Sequence, residues 1–292
     1  MAIPVEQLGA AVPTAVVVGA YWRRARTLAE RGAPVPRWRV ACFAAGTAIS
    51  LLAVLPPLGV WDDELLVAHM AQHLFLIDLG PLLIAAGLTG PLLQPILHVR
   101  WLTWLRHLAH PVVAFVLWAV DLYVWHLPAL YQAAVHHDSV HALQHLMFVG
   151  CGINVWIALL GVLPTPAWFG NLARLGYIVA LRLTGTVLAN VLLWSATVFY
   201  PAYGASEARW GIGRLTDQGL AGAIMMLEES LLTIGLFAWL FFKTARESEE
   251  RQELLELAES RGVALDERRA ARAVAAGRGD ELRRRLTARA AI

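Results

Sequence analysis

Long apolar runs are the feature that most constrains the fold of this chain. Seven of them approach or exceed the roughly 20 residues that a helix needs to cross the hydrocarbon core of a bilayer. They cover residues 4–22, 38–60, 64–88, 111–127, 139–163, 173–200 and 217–242. Only 16% of all residues are charged, whereas soluble domains average about 25%. Because lipid satisfies no backbone polar group, the runs predict an all-α fold, a polytopic bundle of seven transmembrane helices.

Basic residues alternate between the two sides of this predicted bundle. Six arginines lie at residues 23–39, around the end of the first span and the start of the second, and twelve basic residues follow the last span, but the opposite loops hold only Arg209 and Arg214. The positive-inside rule therefore places the N-terminus outside and the C-terminus in the cytoplasm. We expect residues 1–242 to form the transmembrane domain. Residues 243–292, with twelve basic and ten acidic side chains, are expected to form a charged cytoplasmic helical tail.

Histidines are concentrated at the outer end of the predicted bundle. The segments HMAQHLF (69–75) and HALQHLM (141–147) each hold two histidines four residues apart. Such a pair lies on one helix face, so both imidazoles can reach one metal ion at about 2.0 Å. The predicted metal ligands are His69, His73, His126, His137, His141 and His145. Burying so many titratable groups needs a compensating interaction, which favours a metal or cofactor site over hydrogen bonding between helices alone.

Copper is the metal that these ligands favour. Imidazole suits zinc, copper, iron and nickel, and copper has the highest affinity among the divalent first-row ions. Met225 or Met226 is a candidate thioether ligand that would favour Cu(I), whereas Met70 and Met147 are expected to be packing residues. The sequence contains no HExxH motif, nucleophile elbow or phosphate loop, so no enzymatic activity is expected.

A second polar group is predicted near the middle of the bilayer. Its members are Asp78, Arg182, Glu228 and Glu229, which we call the charged layer. An unpaired charge at that depth is expensive, so Arg182 should pair with one of the three carboxylates as a structural ion pair. Closer to the histidines, Asp121 is expected to orient an imidazole ring by accepting its second N–H.

These motifs together resemble a known family. HMAQH, Gly80-Pro81, WHLPALYQAAV, the His141/His145 pair and DQGLAG follow one another from the third span to the seventh. This order is similar to that of the CtaG-type assembly factors of caa-type cytochrome c oxidases. The resemblance carries over His69, His73, Trp125, His126, Pro128, Tyr131, His141, His145, Asp217 and Gln218.

The resemblance implies a multi-pass protein of the bacterial plasma membrane that helps a haem–copper oxidase mature. Its partners would be cytochrome c oxidase subunits and the lipid bilayer, with no nucleic acid, and its role would be to bind and deliver copper. Two other functions remain open. Histidines on parallel spans can ligate a b-type haem, which a Soret band would reveal. A copper or proton-coupled permease could use the charged layer as its gate, which metal flux into liposomes would test.

Overall fold

The computed structural model describes residues 5–99, 105–275 and 277–289, and this part of the chain is helical, with no strand. The α-helices are α1 (Val5–Glu30), α2 (Arg37–Ala53), α3 (Leu58–Trp61), α4 (Leu66–Leu74), α5 (Gly80–Gly87), α6 (Gly90–Leu97), α7 (Leu105–Leu108), α8 (Pro111–Trp125), α9 (Pro128–His136), α10 (Asp138–Leu160), α11 (Asn171–Trp194), α12 (Gly204–Trp210), α13 (Arg214–Ser260), α14 (Glu267–Ala275) and α15 (Gly279–Arg289). A π-helical turn (Phe75–Leu79) joins α4 to α5, and a 3₁₀ turn (Pro201–Tyr203) precedes α12.

Five helical segments are long and apolar enough to cross a membrane. They are Arg37–Trp61, Leu66–Gly87, Asp138–Leu160, Asn171–Trp194 and Arg214–Ser260. The bent pair α8 and α9 makes a sixth if it counts as one span. Helix α1 is not among them, because Glu6, Gln7 and Pro13 dilute its apolar residues. The all-α, multi-pass architecture is thus confirmed, whereas the count of seven spans and the orientation of the termini are not.

The fourth predicted span, residues 111–127, ends at a break between two helices. Helix α8 ends at Trp125 and α9 begins at Pro128, and their axes differ by 72°. Proline disfavours helical geometry in the residue before it, and Leu127 is indeed extended, with ψ 131°. His126 therefore lies in the break between the two helices.

Helix α10 packs closely against the π-helical turn. A methyl group at Gly152 would overlap the carbonyl oxygen of Ile77, so only glycine permits this approach. The contact places α10 alongside the helix that carries His69 and His73. π-helical turns within α-helices are frequent at functional sites.

The chain divides into two compact units, Met1–Leu231 and Leu232–Ile292. The second unit has its own apolar core, made by Leu254, Ala258, Val274, Leu282 and Leu286. Residue 242, the predicted domain boundary, lies inside α13, which continues to Ser260. The assignment of residues 243–292 as a separate cytoplasmic tail stays a prediction.

Candidate metal centre

The two histidine pairs lie against each other in the first unit. On α4 the ring centroids of His69 and His73 are 4.3 Å apart, and on α10 those of His141 and His145 are 4.1 Å apart. Between the helices, His69 stacks on His141 at 4.9 Å, and His73 lies 5.9 Å from His145. All four side chains are buried. Two helices thus supply one compact cluster of imidazoles.

Three of these rings already approach the arrangement of a metal site. One nitrogen each from His69, His73 and His141 lie within 4.8 Å of one another. A metal with bonds of about 2.0 Å holds tetrahedral ligand atoms roughly 3.3 Å apart, so closure requires only modest ring movements. We call His69, His73 and His141 the histidine triad.

Several nitrogens of the cluster lack hydrogen-bond partners. Among the described residues, none bonds Nε2 of His69, either ring nitrogen of His73, or Nε2 of His126. An unsatisfied buried polar atom costs roughly 1–3 kcal/mol, so such atoms usually have a role. A coordinated metal ion would use these lone pairs, and the residues therefore fit a metal.

His126 joins the cluster from the break between α8 and α9. Its ring centroid is 5.8 Å from that of His73. Its Nδ1 lies 2.6 Å from the carbonyl oxygen of Leu122, which can only accept, so Nδ1 carries the proton. In the neutral ring, Nε2 then holds the free lone pair. The backbone thus accepts the second N–H of His126, the role that the sequence suggested for Asp121.

Tyrosines form a layer of hydroxyl groups against the histidines. The hydroxyl of Tyr203 lies 3.0 Å from Nδ1 of His69 and 3.2 Å from the hydroxyl of Tyr131. The hydroxyl of Tyr200 donates to the backbone carbonyl of His126 at 2.8 Å. Burial raises the pKa of Tyr203 well above its ordinary value, so this side chain stays a phenol. It can orient His69 in the way that residues behind metal ligands usually do.

Asp217 and Gln218 hold the backbone around the cluster. The buried carboxylate of Asp217 accepts hydrogen bonds from the backbone N–H groups of Leu66 (2.7 Å) and Val67 (3.0 Å). It therefore caps the N-terminus of the helix that carries His69 and His73. The Gln218 side chain accepts from the Phe199 N–H and donates to the Thr197 carbonyl, fixing the loop that leads to Tyr200.

The remaining predicted site residues are distributed around the cluster. Trp125 is buried at the end of α8, and Tyr131 is fully buried, 4.9 Å from the ring centroid of His69. Asp121 is buried beside Cys151. His137 is exposed at the turn between α9 and α10 and does not join the buried rings.

The charged layer contains one well-built ion pair. Arg182 on α11 pairs with Glu229 on α13, and its Nη2 donates to Ser230 at 3.0 Å. The hydroxyl of Thr186 also donates to Glu229, at 3.1 Å. A side chain at Gly185 would occupy the space of the Glu229 carboxylate, so glycine at this position permits the pairing. Glu229 is thus the partner that Arg182 finds among the three expected carboxylates.

Within the described part of the chain, the other two carboxyl groups of the layer, Asp78 and Glu228, form no ion pair. Asp78 is buried within electrostatic reach of Glu228 and Glu229. Neither carboxylate oxygen of Glu228 has a hydrogen-bond partner among the described residues. Asp78 and Glu229 also line a small cavity that His73 and His126 line as well. The histidine cluster and the charged layer therefore share one internal space.

Tyr200 and Tyr203 are the site residues that sequence reasoning missed. They stand in the segment FYPAYG (199–204), at the end of the sixth predicted span. Tyrosines at span ends are typical of the interfacial aromatic belt, so their position indicated contact with lipid headgroups. Both side chains are buried instead, at 3% and 1% exposure. The only sequence feature that could have linked them to the site is their position shortly before the family motif DQGLAG (217–222).

Comparisons with known proteins cover most of the chain. Residues 19–247 match the family model described as cytochrome c oxidase caa3 assembly factor. Uncharacterized proteins of Mycobacterium bovis and Mycobacterium tuberculosis are each 25% identical over 237 residues, covering 75% of this chain and 36% of the relative. One of Mycobacterium leprae is 23% identical over 254 residues, or 80% of this chain and 38% of the relative. The chain thus spans little more than a third of the length of these relatives. No solved structure matches it significantly.

Proposed function

Because the chain belongs to the cytochrome c oxidase caa3 assembly factor family, we propose that it binds copper among its buried histidines and delivers the ion to the oxidase. Membership supports a role in oxidase assembly and association with oxidase subunits. It is also consistent with the absence of enzymatic activity. Copper is cargo in this proposal, so the chain must both hold the ion and release it.

The histidine triad carries the proposal. Its three nitrogens, from two helices, lie within 4.8 Å of one another in a buried setting. We propose His145 as a further ligand of the triad ion and His126 as a copper ligand on the other side of His73, because both rings are buried around that of His73. His137, exposed four residues before His141, would be the outermost ligand, where copper first meets the chain.

Neutral imidazoles suit a carrier that must release its ion. Protons compete with the metal for the same lone pairs, so affinity depends on pH. Protonation of the ligand nitrogens at acidic pH should weaken copper binding. Affinity should therefore be higher at pH 8 than at pH 5.

We propose that the site opens toward the outer side of the bacterial plasma membrane. The arginine-rich segments favour a cytoplasmic C-terminus. That orientation would put His69 and His141 near the outer ends of their helices, where copper can be received and passed on.

A haem is less suited to this site than a metal ion. The cavity beside His73 and His126 has a volume of about 20 Å³, whereas sites for organic ligands usually measure about 300–1,000 Å³. The imidazole centroids of the cluster are also only 4.1–5.9 Å from their neighbours. A porphyrin would have to separate them.

Copper titration of the detergent-purified chain at pH 8 and pH 5 tests the proposal. We expect the wild type to bind copper more tightly at pH 8, and the variant His69→Ala/His73→Ala/His141→Ala to lose it. The matched control replaces three exposed histidines: His98→Ala/His107→Ala/His136→Ala should bind like the wild type. Equal binding by the two triple variants, or equal affinity at both pH values, would contradict the proposal.

A further inference from the structure

Thioether sulfurs and imidazole nitrogens line a cavity next to the histidine triad. Met70 and Met225 line this cavity together with His73 and His126. Both methionine side chains are almost fully buried, at 1% and 4% exposure. Met70, expected from the sequence to be a packing residue, thus shares a cavity with a predicted ligand. We call this space the methionine cavity.

The imidazoles of the methionine cavity have lone pairs available. Nε2 of His126 and both ring nitrogens of His73 have no hydrogen-bond partner among the described residues. Nδ1 of His126 is already engaged with the Leu122 carbonyl, which leaves Nε2 as its only possible ligand atom. The lining therefore offers two nitrogen and two thioether donors.

The size of the methionine cavity favours a bare cation. The volume of about 20 Å³ is close to that of one water, so a hydrated ion does not fit. The acidic side chains that line the cavity are Asp78 and Glu229, and no arginine or lysine is among its described lining residues. No fixed positive charge in the lining therefore repels a cation.

We propose that the methionine cavity is a second copper site, selective for Cu(I), with Met70, Met225 and His126 as its ligands. Thioether sulfur is a soft ligand that selects Cu(I) over Zn(II) and other harder ions. His73 lines this cavity and also belongs to the histidine triad. It is the residue through which an ion passes from one site to the other. This inference rests on the proposed copper function and assigns it an oxidation state and an internal transfer step.

X-ray absorption at the copper edge tests the second site. The full-length chain in detergent is loaded anaerobically with one and then two equivalents of Cu(I), and sulfur scattering is measured. We expect sulfur neighbours in the wild type and their loss, with loss of one bound equivalent, in Met70→Leu/Met225→Leu. Leucine nearly conserves the volume of methionine, so the fold should tolerate both changes.

Met226→Leu is the matched control, because Met226 adjoins Met225 but does not line the cavity. It should keep both the sulfur signal and the stoichiometry. Zn(II) binding should be the same in all three proteins. Copper bound by the wild type with nitrogen neighbours alone would overturn this inference and leave the triad intact. A wild type that binds no copper would overturn the proposed function and, with it, the second site.

Discussion

The hydrogen bond between Tyr203 and His69 determines which ring nitrogen of His69 is available to a metal. If Nε2 of His69 binds the metal, Nδ1 must carry the proton and donate it to the Tyr203 oxygen, 3.0 Å away. Tyr203→Phe removes that acceptor and should weaken copper binding about 10- to 100-fold. Because burial raises the pKa of Tyr203, the effect should persist at neutral and mildly alkaline pH.

Isothermal competition titration with a copper chelator measures this change. The control is Tyr177→Phe, which removes a buried hydroxyl that bonds the Pro111 carbonyl at 3.0 Å, away from the histidines. Tyr177→Phe should bind copper like the wild type. Unchanged affinity in Tyr203→Phe would show that the tyrosine does not position His69.

The sequence could identify the histidines but not their surroundings. The spacing of His69 and His73 places two imidazoles on one helix face, which follows from helical geometry alone. The hydroxyl of Tyr203 reaches His69 across 134 residues of chain, and no local pattern encodes such a contact. Likewise, the helical carbonyl of Leu122 replaces Asp121 as the acceptor for His126. That choice depends on the interruption of the helix at residue 126.

At the scale of elements, the start of α4 depends on a distant carboxylate. Asp217 is fully buried and accepts the N–H groups of Leu66 and Val67, two donors that the helix itself cannot satisfy. Asp217→Asn loses the negative charge and half of the acceptor capacity. We expect it to destabilise the protein by about 1–2 kcal/mol. The apparent melting temperature of the metal-free chain in detergent measures the loss.

Asp138→Asn is the matched control for this change. Asp138 also stands in the first turn of a histidine-bearing helix, but it is exposed. It should shift the melting temperature little, because exposed helix-end charges contribute only about 0.3–1 kcal/mol. Equal shifts in the two variants would indicate that the cap of Asp217 contributes nothing specific.

Element boundaries were predictable where one residue dictates them. The predicted span 111–127 ends next to Pro128, where α9 begins after a break at residues 126–127. The π-helical turn at Phe75–Leu79, against which α10 packs at Gly152, could not be expected, because no local sequence pattern marks it. The contact of Asp217 with Leu66, 151 residues away, is equally remote from any sequence pattern.

At the scale of the whole molecule, hydropathy gave the architecture but not the number of spans. The apolar runs correctly predicted a helical, multi-pass membrane protein, because a segment in lipid must satisfy its own backbone hydrogen bonds, as a helix does. The count depends on marginal segments: α1 carries polar residues near its start, and α8 is short and bent against α9. Neither the depth of a marginal helix nor its crossing of the bilayer follows from composition alone.

Delivery is the property of the whole molecule that binding alone does not establish. In a bacterium that depends on this chain, its deletion should yield a caa-type oxidase with less copper per haem, since haem would be supplied by other proteins. Wild type and His98→Ala/His107→Ala/His136→Ala should restore the ratio, and His69→Ala/His73→Ala/His141→Ala should not. Met70→Leu/Met225→Leu should restore it only partly if copper passes through the methionine cavity. Metal analysis of the purified oxidase measures the ratio, and full copper loading without the triad would refute delivery by these histidines.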